Sequence, residues 1–184
     1  MKPVATEPKD LAQRTAETPR AVVAVARRHT SILTRMAFAA SPERVWSGMM
    51  FYEQIEERPP LHLRLLLPVP TGTENVKSKV GEVVRCSYQG GHLLKRLTKI
   101  DPQRHYGFDV VEQTLPIGGG LTLSGGCYTL RELPGGGTEV AVTTRYLGGR
   151  RPGWLWQPIE AAVCHLFHRY LLGAMRRKVE SAEP

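Results

Sequence analysis

No stretch limits the fold more than the last apolar segment, which runs from Pro152 to Lys178. It reads as one long helix. At about 100° per residue, Trp156, Ile159, Val163, Leu166, Phe167, Tyr170 and Ala174 share one face. His165, Arg169 and Arg176 fall on the opposite face, so His165 is expected at the surface. Arg176, Arg177 and Lys178 crowd the C-terminal end, where cations suit the helix dipole. A stripe of this kind must lie on another apolar surface, and only the β-rich stretch before it can provide one.

That stretch is punctuated by turns. Residues 27–39 alternate and are rich in β-branched side chains, as a first strand is. Ser41-Pro42-Glu43-Arg44-Val45-Trp46 then opens a helix: Ser41 is a good N-cap, and Pro42 suits the first turn, where its missing donor has no role. Val45, Met49 and Tyr52 share a face with Trp46 beside it, and the helix should end near Glu56. Leu61–Leu67 is apolar but lies between prolines; a helical turn or lid is expected there, and Thr71–Asn75 reads as a loop. Val80–Tyr88 and Leu93–Ile100 form a hairpin, with Glu82 expected opposite Lys99. Strands follow at His105–Thr114, Leu121–Leu133 and Thr138–Leu147. With Leu133 set opposite Glu139, Leu130 and Tyr128 share a face with Val142, Thr144 and Tyr146, and that face should meet the helix. Gly118-Gly119-Gly120 and Gly125-Gly126 lack the lysine and helix of a phosphate loop; they read as bends or bulges.

Composition narrows the function. The 184 residues suit one domain, and 41% hydrophobic content supports one core. Residues 1–20 have almost no large apolar side chains and read as a flexible tail; residues 21–184 read as a single domain. The formal charge is +8 and the pI about 9.7. The bases are scattered, with no block of five or six and no basic aromatic motif, so nucleic acid is not the expected partner. No apolar run is long enough to span a bilayer, and the start has no hydrophobic signal-type region. Cys86, Cys127 and Cys164 are an odd number, far apart, so a reducing cytoplasm is expected rather than a disulfide framework.

The order of elements, with Ala40-Ser41-Pro42-Glu43-Arg44-Val45-Trp46 directly after the first strand, resembles the START-like, or polyketide cyclase/dehydrase-like (SRPBCC), superfamily over about residues 27–178. The resemblance implies an α+β helix-grip fold: a curved antiparallel sheet of six or seven strands wrapped around a long C-terminal helix. It implies a cavity between sheet and helix that holds a hydrophobic small molecule. It carries over no catalytic residue, because members differ in what lines the cavity. The segment 59–70 departs from the pattern, replacing the usual second short helix and a short strand.

On this reading the ligand would be lined by Trp46, Met49, Phe108, Tyr128, Thr144, Tyr146, Val163, Phe167 and Tyr170. The first functional reading is a binder or carrier of a lipid, isoprenoid or polyketide-like molecule, without cofactor or metal, as a monomer or homodimer. A second is a cyclase or dehydratase that uses Glu112 or Glu160 as acid/base with a tyrosine. Glu112 is expected to share the face of Phe108 and Val110, and Glu160 lies beside the apolar stripe; the plain alternative for each is a solvent-facing carboxylate. A third is a lipid-transfer protein on an anionic membrane surface, drawing on the basic tail, Leu61–Leu67 and the Arg176-Arg177-Lys178 cluster. Cys164 and His168 stand one turn apart, a metal-ligand spacing without a partner pair, and read as a core thiol and a partly exposed histidine. Trp154 and Trp156 are expected in the core. Arg85 and Arg96, if inward, would favour an anionic ligand.

Overall fold

The computed structural model describes residues 29–50, 70–74, 79–117 and 120–181. The expected tail over residues 1–20, the lid at 61–67 and the helix end near Glu56 lie outside them. Within them, β1 (His29–Phe38) leads to α1 (Pro42–Met50). Six strands follow: β2 (Pro70–Glu74), β3 (Val83–Tyr88), β4 (Gly91–Asp101), β5 (His105–Gln113), β6 (Thr122–Glu132) and β7 (Thr138–Leu147). The chain then enters α2 (Gly153–Ser181). All seven strands join one antiparallel sheet in the order β1-β7-β6-β5-β4-β3-β2. The expected α+β arrangement of sheet and terminal helix is therefore present, with the higher of the two strand counts.

Two-residue alternation sets the inner face. On β1 it carries Thr30, Ile32, Thr34, Met36 and Phe38; on β7, paired with it, Val140, Val142, Thr144 and Tyr146. β6 adds Tyr128 and Leu130, opposite Val142 and Val140. These faces are as expected, but the register is two residues away: Arg131, not Leu133, stands opposite Glu139, with its Nη2 3.3 Å from the carboxylate. The β3–β4 hairpin differs in the same way. Its turn is only Gln89-Gly90, with Gly90 at φ 92°, so Glu82 stands beside Leu97 rather than Lys99, and its carbonyl accepts the Leu97 amide at 2.9 Å. A shift of two changes partners and keeps faces.

Residues 70–74 form an edge strand on β3, not a loop. The segment lacks the large apolar residues that mark a strand in sequence. Its pairing rests on backbone hydrogen bonds, with Pro70 at its first position and a register irregularity before Gly72, as an edge tolerates.

The C-terminal half of α2 is fixed by α1. Gly48 lets the helices approach so closely that a side chain there would meet Val179. Arg44 Nη2 donates to the Val179 carbonyl at 2.9 Å, and the Ala39 amide donates to the Glu180 carboxylate at 2.8 Å. Val45 and Met49 are buried in the shared core with Leu172 and Met175. Burying each such side chain contributes about 1.5–3 kcal/mol.

The face that α2 turns inward is not the expected one. Glu160, His168, Leu171, Leu172, Met175 and Val179 are buried. Trp156, Val163, Phe167, Tyr170 and Ala174 lie half-buried on one flank, while Ile159 and Leu166 are exposed. The N-terminal half of the helix is apolar on nearly every side, so its bulkiest residues do not mark the docked face. The helix instead seats a polar line on β1 and β7, whose threonines supply the partners.

Candidate functional site

The site is built from that line. Glu160, Cys164 and His168 follow at one-turn intervals along the inward face of α2, which lies over β1 and also approaches β7 and α1. β1 brings Thr30 and Thr34, and β7 brings Thr144 and Tyr146, with Thr30 and Tyr146 directly opposite in register. Thr34 Oγ1 lies 2.8 Å from Nδ1 of His168 and 2.8 Å from Nδ1 of His165. Thr144 Oγ1 lies 2.7 Å from Nε2 of His168. Thr34 has one hydroxyl proton, so it donates to one histidine and accepts from the other when both rings are neutral. The result is an unbroken chain, His165–Thr34–His168–Thr144, from the half-buried side of the helix into its buried face.

Tyr146 is the exception. It is fully buried, and its hydroxyl completes no hydrogen bond of good geometry among the described residues. The Glu160 carboxylate, the Cys164 thiol and the Thr30 hydroxyl all face it closely enough to influence its titration. Burial is the largest influence and, with Cys164 and Glu160, pushes Tyr146 up to about 12, against a smaller lowering by Thr30. Burial, then Glu160, pushes Cys164 up to about 11, so its thiol stays protonated at neutral pH and is a poor nucleophile. Burial, then the neighbouring His165, pulls His168 down to about 4, so it is neutral under ordinary conditions. Among the described residues no group of three His, Cys, Asp or Glu side chains is arranged to hold a metal ion.

Further along the sheet the inner face is mostly apolar, with one cation. Leu93, Lys95 and Leu97 point inward together from β4, and Lys95 is buried with its Nζ 4.8 Å from the centre of the Phe108 ring. Tyr106 links Phe108 to Tyr128, with ring centres 6.3 and 6.4 Å away. Phe108 can lie there because Gly126, opposite it on β6, has no side chain: a Cβ would come within 3.0 Å of the ring and 2.6 Å of the Thr143 carbonyl. The Gly125-Gly126 pair follows a register shift after Leu123, the bulge expected of it.

The residues expected at a site separate accordingly. Met49, Tyr128 and Tyr146 are buried; Trp46, Phe108, Thr144, Val163, Phe167 and Tyr170 are half-buried, and Trp46, Phe108, Phe167 and Tyr170 pack on the core. Glu160 is inward. Glu112 is not: it is exposed and its carboxylate is 2.9 Å from His92 Nε2. The cause is a bulge at Val111. Lys95 pairs with Val110 but Leu94 with Glu112, so the alternation that puts Phe108 and Val110 inside is reset, and Gln113 takes the inward place. Gln113 then ties the next loop, donating to the carbonyls of Leu115 and Leu121 and accepting from the Leu123 amide. Arg85 and Arg96 are exposed. Trp154 is exposed rather than in the core, and Trp156 is half-buried beneath Arg150, 4.3 Å from its ring centre. His168 is buried rather than partly exposed, and His165 is hydrogen-bonded rather than a bare surface residue.

Sequence reasoning does not single out Lys95, Thr30 or Thr34. A signal exists for Lys95: with Leu93 and Leu97 inside, period two places it between them. None exists for the threonines, since their role depends on which face of α2 they meet.

No helix among the described residues is long and apolar enough to cross a membrane. No protein-family profile matches the chain, and no curated protein matches its sequence. Solved structures do. A START superfamily protein from Mycobacterium smegmatis superposes with a TM-score of 0.61 at 14% identity, covering 85% of this chain and 100% of that one. The Zhui aromatase/cyclase from Streptomyces sp. R1128 gives 0.57 at 16% identity, over 83% and 94%. The Aha1 dimer from Colwellia psychrerythraea gives 0.54 at 14%, over 84% and 99%. At these identities the likeness is one of fold.

Proposed function

From a START-like helix-grip fold with polar groups sealed under its long helix, we propose that this protein binds a hydrophobic small molecule between the inner face of the sheet and α2. The guest is a lipid, isoprenoid or polyketide-like molecule bearing at least one oxygen. Phe108, Tyr128, Phe167 and Tyr170 supply aromatic surface, with Trp46, Met49 and Val163 beside them. Thr144 and Tyr146 supply polar contacts. The observation that carries this reading is the buried Tyr146 hydroxyl, which lies within reach of Glu160 and Thr30 but makes no hydrogen bond of good geometry with either. In a sealed core such a group costs about 1–3 kcal/mol. A guest oxygen would give it a partner beside aromatic walls, in a site where His168 is already paired with Thr34 and Thr144; a few placed polar groups of this kind are how ligand sites fix orientation. The START-superfamily and aromatase/cyclase neighbours share the fold and support the reading without naming the guest. A reducing compartment such as the cytoplasm goes with it, since all three cysteines are free thiols.

The test is native mass spectrometry of gently purified protein, followed by organic extraction. A bound species that partitions into the organic phase is expected. Protein that is guest-free and fails to take up any apolar fluorescent probe would rule the proposal out.

A second reading has its own support. Glu160 and Tyr146 are a buried carboxylate and a buried hydroxyl facing one another, the pairing a cyclase or dehydratase uses as base and acid. Tyr146 keeps its proton to about 12, so it serves as donor and Glu160 as acceptor. Loss of one water from a β-hydroxy polyketide-like substrate, abolished by Glu160→Gln, is the expected signature. An unchanged substrate would leave the binder as the sole reading.

A further inference from the structure

The inward line Glu160–Cys164–His168 has a counterpart on the far side of α2. At about 100° per residue, Leu155, Ile159, Ala162 and Leu166 align opposite it. Leu155, Ile159 and Leu166 are 45%, 48% and 43% exposed, and Trp154, in the first turn about 100° around the helix from Leu155, is 76% exposed. A single exposed leucine needs no explanation, but a continuous row on one helix face does. The row spans about 18 Å at 1.5 Å per residue.

Its charge surroundings name the partner. Between Arg150 and Ser181 the sequence has six bases, Arg150, Arg151, Arg169, Arg176, Arg177 and Lys178, and two acids, Glu160 and Glu180, the second 3.9 Å from Arg176. All six bases are exposed, and Glu160 is buried on the opposite face. An apolar row with an exposed tryptophan in the turn beside it and arginines beyond both ends is the pattern of a helix lying in the headgroup layer of an anionic membrane. A second copy of the chain fits poorly. A two-fold contact along this row would set the arginines of one copy against those of the other, and like charges so placed cost several kcal/mol. A stable protein interface also needs about twenty residues a side, far more than this row offers.

We propose that the outer face of α2, from Trp154 to Leu166 with its flanking arginines, docks on an anionic lipid bilayer. The proposal does not depend on the ligand reading. It adds to that reading a location, since the face of the docked helix that carries Glu160 is turned to Tyr146. It also places the contact on α2 itself rather than on the tail or Leu61–Leu67.

The test is co-sedimentation of the full chain with phosphatidylcholine vesicles, with and without phosphatidylglycerol. Pelleting is expected only with the anionic lipid, and it should weaken at about 1 M salt, where screening acts within about 3 Å. Ile159→Glu with Leu166→Glu replaces exposed side chains, so melting should stay near wild type while vesicle affinity falls about tenfold or more, the effect of the two lost apolar contacts. Tyr146→Phe should pellet like the wild type, which separates docking from guest capture. Four outcomes would overturn the assignment: no pelleting of the wild type at low salt, undiminished pelleting of the double variant, loss of pelleting in Tyr146→Phe, or a dimer on size exclusion that the double variant dissolves.

Discussion

Thr34 of β1 holds His168 of α2, its Oγ1 2.8 Å from the ring Nδ1 in a buried position. The same ring reaches Thr144 of β7 through Nε2 at 2.7 Å, so one side chain links the helix to both strands beneath it. Thr34→Val keeps the shape and removes the hydroxyl. His168 then loses its Nδ1 partner in a site water does not reach, and His165 loses its partner as well. A loss of about 1–3 kcal/mol is expected, read from urea unfolding at pH 7.5. A change under about 0.5 kcal/mol, the size of an ordinary surface substitution, would mean that the seam is not closed as described.

Stability should also fall in acid, and His168 gives the window. Its folded-state value is about 4, against 6.5 for the free side chain, because burial and His165 disfavour the charged ring. The groups facing it are Thr34 on β1 and Thr144 on β7, both hydrogen-bonded to the ring, with His165 on α2 the one titratable group that influences it. Between pH 6.5 and 4 the unfolded chain holds a proton on this residue that the folded chain lacks, so lowering the pH favours unfolding. Across that window each step of one in pH removes about 1.4 kcal/mol, so the whole loss is about 3 kcal/mol, complete near pH 4. His168→Gln should flatten that part of the urea-midpoint profile. An equal slope in the variant and the wild type would assign the acid sensitivity to other groups.

Tyr146→Phe distinguishes a ligand contact from a structural one. The hydroxyl makes no hydrogen bond of good geometry with Glu160 or Thr30, so removing it should leave stability within about 0.5 kcal/mol of wild type, or raise it slightly. Guest capture, measured by extraction and mass spectrometry, should fall about tenfold, the worth of one hydrogen bond near 1.4 kcal/mol. Clear destabilisation with undiminished capture would make Tyr146 a core residue.

The fold is legible where local signals are strong and agree. Ser41-Pro42 opens a helix, glycine-rich turns separate the strands, and period-two alternation chooses the inward residues. A register two residues away leaves those faces intact, which explains why Tyr128 and Leu130 can be placed inside without their true partners. The site is less legible. Simple alternation turns Glu112 inward because nothing in Val110-Val111-Glu112 announces a bulge. The docked face of α2 is hidden for a different reason: with apolar residues on almost every side, periodicity has little contrast, and the buried line is the one with Glu160, Cys164 and His168. His168 is tolerated there because Thr34 and Thr144 meet it, and that meeting is tertiary.

The packing of α1 on α2 yields a prediction that can be checked in two directions. A Cβ at Gly48 would overlap the Val179 side chain. Valine in a helix is stiff and cannot swing aside, so Gly48→Ala should cost about 1–3 kcal/mol through overpacking. Val179→Ala alone leaves a small void at a buried position and should also be destabilising. Combined, the two should do better than their sum, because the alanine methyl enters the space the valine vacates. Alanine is also the better helix former by about 1 kcal/mol, so the double variant should recover most of the loss seen in Gly48→Ala. The coupling energy from a double-mutant cycle is expected to be about 1–3 kcal/mol in favour of the pair. A cycle that closes to zero would mean that the C-terminal turns of α2 do not press on α1 at Gly48, and those turns would then be held by the Arg44–Val179 and Ala39–Glu180 hydrogen bonds rather than by close packing.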